Sequence, residues 1–185
     1  MITKANMHLG FNCRDLDKSM WWYETFLGCH EKFTLYWGDM IPKNPEHLKG
    51  MDPERLAYLE KIKDEKWIVY MEFEDCPGSF VELFNEPTAH VPHVPDQSVD
   101  LNYTHYAHTV DDVQAFYESV LAKGGEECVY LPPQINMDRA RAMWLKDPDG
   151  NRMEFIEYTP YSMELIGREM PEGVDVFGMM MRGEI

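Results

Sequence analysis

A repeat hidden in the chain constrains its fold more than any other feature. His8-Leu9-Gly10-Phe11-Asn12-Cys13-Arg14-Asp15-Leu16 lies over His105-Tyr106-Ala107-His108-Thr109-Val110-Asp111-Asp112-Val113, with histidine on histidine, a small residue on a small residue and aspartate on aspartate. Tyr23-Glu24-Thr25-Phe26-Leu27 then matches Tyr117-Glu118-Ser119-Val120-Leu121, and Val81-Glu82-Leu83-Phe84 matches Met153-Glu154-Phe155-Ile156. Each half therefore reads as a strand, a helix and further strands that end on a glutamate.

Local signals agree. Asp15 and Asp112 stand where a helix N-cap belongs. Leu16, Met20, Tyr23 and Leu27 recur at helical spacing before Gly28, and Val113, Phe116, Val120 and Leu121 do so before Gly124-Gly125. Strands are expected over His30–Trp37, Trp67–Glu74, Ser79–Phe84, Glu127–Leu131, Arg139–Leu145 and Arg152–Tyr158, with Asp147-Pro148-Asp149-Gly150 turning between the last two.

The His-to-Glu spacing is about 25 residues longer in the first half, which places an insertion at about 38–66, helical around Pro53–Ile62 and either a surface excursion or a lid. The expected organisation is a first module over 1–86 carrying that insertion, a linker over 87–102, a second module over 103–160 and a C-terminal extension over 161–185.

Of the 185 residues, 44% are hydrophobic and 13% aromatic, which excludes disorder over most of the length. No apolar run approaches the roughly 18 residues of a bilayer span, so no membrane partner is expected. The opening residues lack the apolar core of a signal peptide, and four dispersed cysteines without a Cys-x-x-Cys pair suit a reducing compartment, so a cytoplasmic location is expected. With 17 Lys and Arg against 33 Asp and Glu, the net charge of −16 repels phosphate backbones, and nucleic acid is not an expected partner.

One histidine and one glutamate at equivalent places in each half point to a metal. If the halves pack about a pseudo-twofold axis, His8, Glu82, His105 and Glu154 meet there, and two imidazoles with two carboxylates suit a divalent first-row ion. Strand alternation puts His8 on the face of Gly10, and sets Glu82 and Glu154 opposite to their apolar neighbours. A carboxylate on an otherwise apolar strand is costly unless it is paired or binds a cation. His108, three residues from His105, falls on the opposite strand face. Arg139 and Arg141 share a strand face and suit either an anionic substrate group or plain solvent.

These residues resemble the vicinal oxygen chelate superfamily, which includes glyoxalase I, bleomycin-binding proteins and extradiol dioxygenases. The resemblance covers roughly residues 7–38 and 66–160, and Asp147-Pro148-Asp149-Gly150-Asn151-Arg152-Met153-Glu154 is its most specific segment. It implies an α+β fold of two βαβββ modules forming a cupped, incomplete barrel around a metal site, with His8, Glu82, His105 and Glu154 at the four ligand positions. It also implies a homodimer and a small-molecule carbonyl substrate.

The ligand set is that of glyoxalase I-like members, which implies a metal-dependent lyase or isomerase using Ni, Co, Zn, Mn or Fe. Such an enzyme abstracts a proton next to a carbonyl, through an enediolate that the ion stabilises, with Glu154 as base and Glu82 as the group returning the proton. Glutathione is disfavoured, because Asn12 stands where glyoxalase I-like sequences often carry arginine. The alternatives are an antibiotic-like small-molecule binding protein and an Fe(II) extradiol dioxygenase using His8, His105 and Glu154.

Overall fold

The computed structural model describes residues 8–85, 104–169 and 172–184; the expected linker over 87–102 lies outside the described residues. The chain divides near residue 91 into two compact units, and each holds one four-stranded mixed sheet.

In the first unit, β1 (His8–Asn12) leads into α1 (Leu16–Leu27), followed by β2 (Cys29–Tyr36), β3 (Lys66–Phe73) and β4 (Phe80–Phe84). The sheet order is β1-β4-β3-β2, with β1 parallel to β4 and the other neighbours antiparallel. Helix α1 begins where an oxygen is available for its unpaired amides: the Asp15 side chain accepts from Lys18 N at 3.0 Å. It ends at Gly28, whose φ of 64° is the left-handed conformation that closes a helix at low cost. Met20, Tyr23 and Phe26 of α1 are buried, as are Val69, Met71, Val81 and Leu83 on the strands. One face of the sheet thus lies under the helix and the other carries His8 and Glu82.

The second unit repeats this plan. It comprises β5 (Tyr106–Thr109), a helix over Val113–Ala122, then β6 (Val129–Ile135), β7 (Arg141–Lys146) and β8 (Arg152–Glu157), in the order β5-β8-β7-β6 with β5 parallel to β8. The Asp112 side chain caps the helix through Ala115 N at 2.9 Å, and Glu157 Oε2 accepts from Val113 N at 2.9 Å. Val113, Val120, Met143, Leu145, Met153 and Phe155 form its core. Strand β6 starts later and runs longer than expected, because a 3₁₀ turn occupies Glu126–Cys128.

The insertion expands the β2–β3 connection, where the second unit has only Asn136–Ala140 between β6 and β7. It holds a 3₁₀ turn at Trp37–Met40 and helices at Pro45–Lys49 and Pro53–Ile62. Asn44 and Asp52 cap those helices and a proline opens each. Trp37, Leu59 and Ile62 make a small core against Met40, Ile41, Met51 and Trp67. Of the tryptophan pair on α1, Trp22 is buried and Trp21 exposed. Past the repeat lie short helices at Met163–Ile166 and Val176–Met181. Among the described residues no helix is long and apolar enough to cross a membrane.

Candidate metal centre

Each unit brings its histidine and its glutamate together in the same way. Gly10 is the register partner of Glu82 across β1 and β4, and Ala107 is the partner of Glu154 across β5 and β8. The histidine two residues earlier therefore leans along the same sheet face onto the carboxylate. His8 Nε2 lies 3.2 Å from Glu82 Oε2, and His105 Nε2 lies 3.2 Å from Glu154 Oε2. The small residue is needed beside the carboxylate in the first unit. A Cβ at Gly10 would stand 2.9 Å from Phe84 Cε2 and 3.5 Å from Glu82 Oε2. At the position of Phe84 the second unit has Ile156, register partner of Thr109 as Phe84 is of Asn12, and there an alanine is accommodated.

Both carboxylates are withdrawn from water, Glu82 at 7% exposure and Glu154 at 6%. Among the described residues His8 is the one polar partner of Glu82, which leaves most of its acceptor capacity unused. Glu154 has a second partner, Asn136, whose Nδ2 donates to Oε1 at 2.7 Å. Burial pushes the Glu154 carboxyl up; His105 and the Asn136 hydrogen bond oppose this, while Asp138 and Glu164 act in the same sense as burial.

An aromatic side chain flanks each pair from the neighbouring strand. Tyr70 pairs in register with Glu82 and meets the His8 ring edge-on at 5.9 Å between centroids. Trp144 pairs with Glu154 and meets His105 at 4.6 Å. Thr104 Oγ1 lies 3.0 Å from His105 Nδ1, which is how an imidazole is fixed with its other nitrogen turned to a cation. Thus each half supplies an imidazole and a buried carboxylate with capacity to spare, and this donor set fits a divalent ion. Among the described residues no group of three or more His, Cys, Asp or Glu side chains gathers as a metal cluster; what the structure brings together is one His–Glu pair per half.

His108 lies on the opposite face from His105, its ring stacked on Phe155 at 5.5 Å between centroids, and burial lowers its pKa to about 4. The expected arginine pair is a correction. Arg139 precedes β7 with φ of 70°, is nearly buried, and donates from Nη2 to the carbonyl oxygens of Gly167 at 3.1 Å and Arg168 at 2.9 Å. Arg141 Nη1 lies 3.7 Å from Glu157 Oε1. One arginine pins the C-terminal extension and the other pairs with an acid, so they do not form a joint anion site. Asn136, Thr104, Tyr70 and Trp144 were not singled out in the sequence, although Tyr70 and Trp144 could have been found by extending the repeat through β3 and β7.

This strand order, repeated with a His–Glu pair in each half, defines a class of paired βαβββ proteins. Residues 7–155 match the family model described as Glyoxalase/Bleomycin resistance protein/Dioxygenase superfamily, and the chain belongs to that superfamily. Among solved structures it is similar to a glyoxylase/bleomycin resistance protein/dioxygenase domain from a Frankia species, with a TM-score of 0.59 and 12% identity over 89% of this chain and 99% of that one. A superfamily member from Sphaerobacter thermophilus gives 0.54 and 18%, covering 85% and 100%. Lactoylglutathione lyase from Agrobacterium tumefaciens gives 0.49 and 15%, covering 85% and 96%, a likeness too weak to carry an activity. At such identities the likeness is one of fold. No protein of curated function matches the chain.

Proposed function

We propose that His8, Glu82, His105 and Glu154 together hold one divalent metal ion, and that the protein is a lyase or isomerase of the glyoxalase I-like type acting on a small carbonyl compound. The observation that carries this reading is the identical pairing in both halves, with imidazole Nε2 at 3.2 Å from a nearly buried carboxylate oxygen. An isolated His–Glu contact is common. The same contact at repeat-equivalent positions, beside a small residue and an aromatic wall each time, is a ligand set duplicated with its module.

Bound there, the ion supplies Lewis acidity to a carbonyl oxygen on which negative charge develops. The chain supplies the base. Burial raises the Glu154 carboxyl, which suits it to accept a carbon-bound proton, while the Asn136 hydrogen bond opposes that rise and holds the carboxylate in place. Glu82 is the matching group for returning the proton to the neighbouring carbon. Trp144 and Tyr70, register partners of the two carboxylates, stand against the paired imidazoles. The reading includes a homodimer and a choice of Ni, Co, Zn, Mn or Fe.

Elemental analysis of the purified protein, followed by a panel of dicarbonyl and hydroxy-ketone substrates, tests it. A stoichiometric divalent ion is expected, with turnover lost at least about a hundredfold in Glu154→Gln. A chain that takes up none of these ions, or a Glu154→Gln variant with full activity, refutes it.

A further inference from the structure

The face of the second sheet that carries Glu154 holds another group of side chains with no assigned role. Trp144 and Lys146 on β7, and Arg152 and Glu154 on β8, share that face, opposite to the fully buried Met143, Leu145 and Met153. Lys146 and Arg152 are direct register partners. Their cationic heads converge on one ring, with Lys146 Nζ 4.1 Å and the Arg152 guanidinium carbon 4.9 Å from the centroid of Tyr130. Tyr130 is 39% exposed, so the group is reachable from solvent.

The charge balance makes this arrangement unusual. Acids outnumber bases 33 to 17 in the chain, yet neither cation forms an ion pair among the described residues. Two like charges brought over one ring repel each other, and the negative ring face offsets only part of that. An anion seated between them would remove the repulsion and take charge-assisted hydrogen bonds from both.

We propose that Lys146, Arg152 and Tyr130 form an oxyanion-binding subsite for a carboxylate or phosphate group of the substrate. The substrate role rests on the reading of Glu154 as part of the reactive centre. Arg152 is two residues from Glu154 along β8, and Lys146 two from Trp144 along β7, about 7 Å at the rise of a strand. The substrate is then a small carbonyl compound whose anionic group lies a few bonds from the reacting carbon. The two cations thus answer the specificity question that Arg139 and Arg141 leave open.

The test titrates the full-length, metal-free protein with phenyl phosphate and, separately, phenylacetate, with benzyl alcohol as neutral control. Binding is followed by calorimetry and by amide nitrogen–proton correlation spectra. Both anions are expected to bind saturably, with the largest shifts at Tyr130, Lys146 and Arg152, and the neutral control not to bind. In K146Q/R152Q the affinity is expected to fall about tenfold or more, whereas K146R retains it. Tighter phenyl phosphate marks a phosphate ester as the preferred group, and tighter phenylacetate a carboxylate. Equal affinity in wild type and K146Q/R152Q, or shifts centred elsewhere on the wild-type chain, overturns the proposal. Because the anion titration needs no metal, a protein that binds these anions but takes up no divalent ion would retain the subsite and lose the metal centre, and the converse result would do the reverse.

Discussion

Asn136 shows how a single side chain can set the behaviour of a site. Its amide donates to Glu154 Oε1 at 2.7 Å and favours the charged carboxylate against the burial that raises its pKa. Asn136→Leu removes that donor, so Glu154 binds its proton more tightly and meets a cation less readily at neutral pH. Divalent-ion affinity is expected to fall about tenfold or more, as for partners that orient a metal ligand, and calorimetric titration of wild type and variant measures it. An unchanged affinity would show that Asn136 fills space and no more. His108 makes a separate prediction on the core face. Its pKa is lowered to about 4 by burial, against about 6.5 in an unfolded chain. Between those values the unfolded chain takes up a proton that the folded one refuses, so stability is present above pH 6.5 and is lost as pH falls toward 4. The loss attributable to His108 is about 3 kcal/mol at most. His108→Phe, which can keep the stack on Phe155, is expected to flatten that part of the denaturation profile, and a variant with the wild-type slope would remove His108 as the cause.

At the scale of elements, legibility in the sequence followed the range of the interactions. Asp15 and Asp112 announced the repeat helix of each half because a cap acts three residues away. The ligand candidates His8, Glu82, His105 and Glu154 were legible through the repeat, and their pairing within each half emerged from strand register. Asn136 was hidden because its partner is 18 residues along the chain, and nothing in a short window reports that. Arg139 misled for a similar reason: alternation assigned it to a strand, whereas a left-handed turn and two carbonyls of the extension claim it. In the insertion, Pro53–Ile62 was legible as a helix, but Pro45–Lys49 was not, being too short to show a period. Trp37, Leu59 and Ile62 form a small core within the insertion, packed also against Trp67 of β3, and a cluster of this kind is expected to open as a local unit. Leu59→Ala, at a side chain 1% exposed, is expected to cost the insertion about 2 to 4 kcal/mol. Cleavage between residues 38 and 65 in limited proteolysis should then speed up at least tenfold, with the main thermal transition shifted far less. A large drop of the main transition would mean that the insertion and the sheet unfold as one.

For the whole molecule, the decisive quantity is the number of ions per chain. One half offers one imidazole and one carboxylate, too few donors for tight and selective retention of a first-row divalent ion, which takes four to six. If the duplicated pairs serve one site, saturation comes at one ion per chain, and His8→Ala and His105→Ala lower the affinity to a similar degree although they lie in different units. If each pair serves its own weak site, saturation comes at two, and either variant keeps one ion with wild-type affinity. The shared site also predicts a stability effect, because an ion that binds only the folded chain stabilises it by about 2.7 kcal/mol at a hundredfold excess over its dissociation constant. Removal with a chelator should therefore lower the melting temperature of wild type, while leaving the His8→Ala and His105→Ala proteins almost unmoved at the same ion concentration. Two ions per chain, or a chelator response that survives in either variant, would separate the halves into independent sites and end the single-centre account.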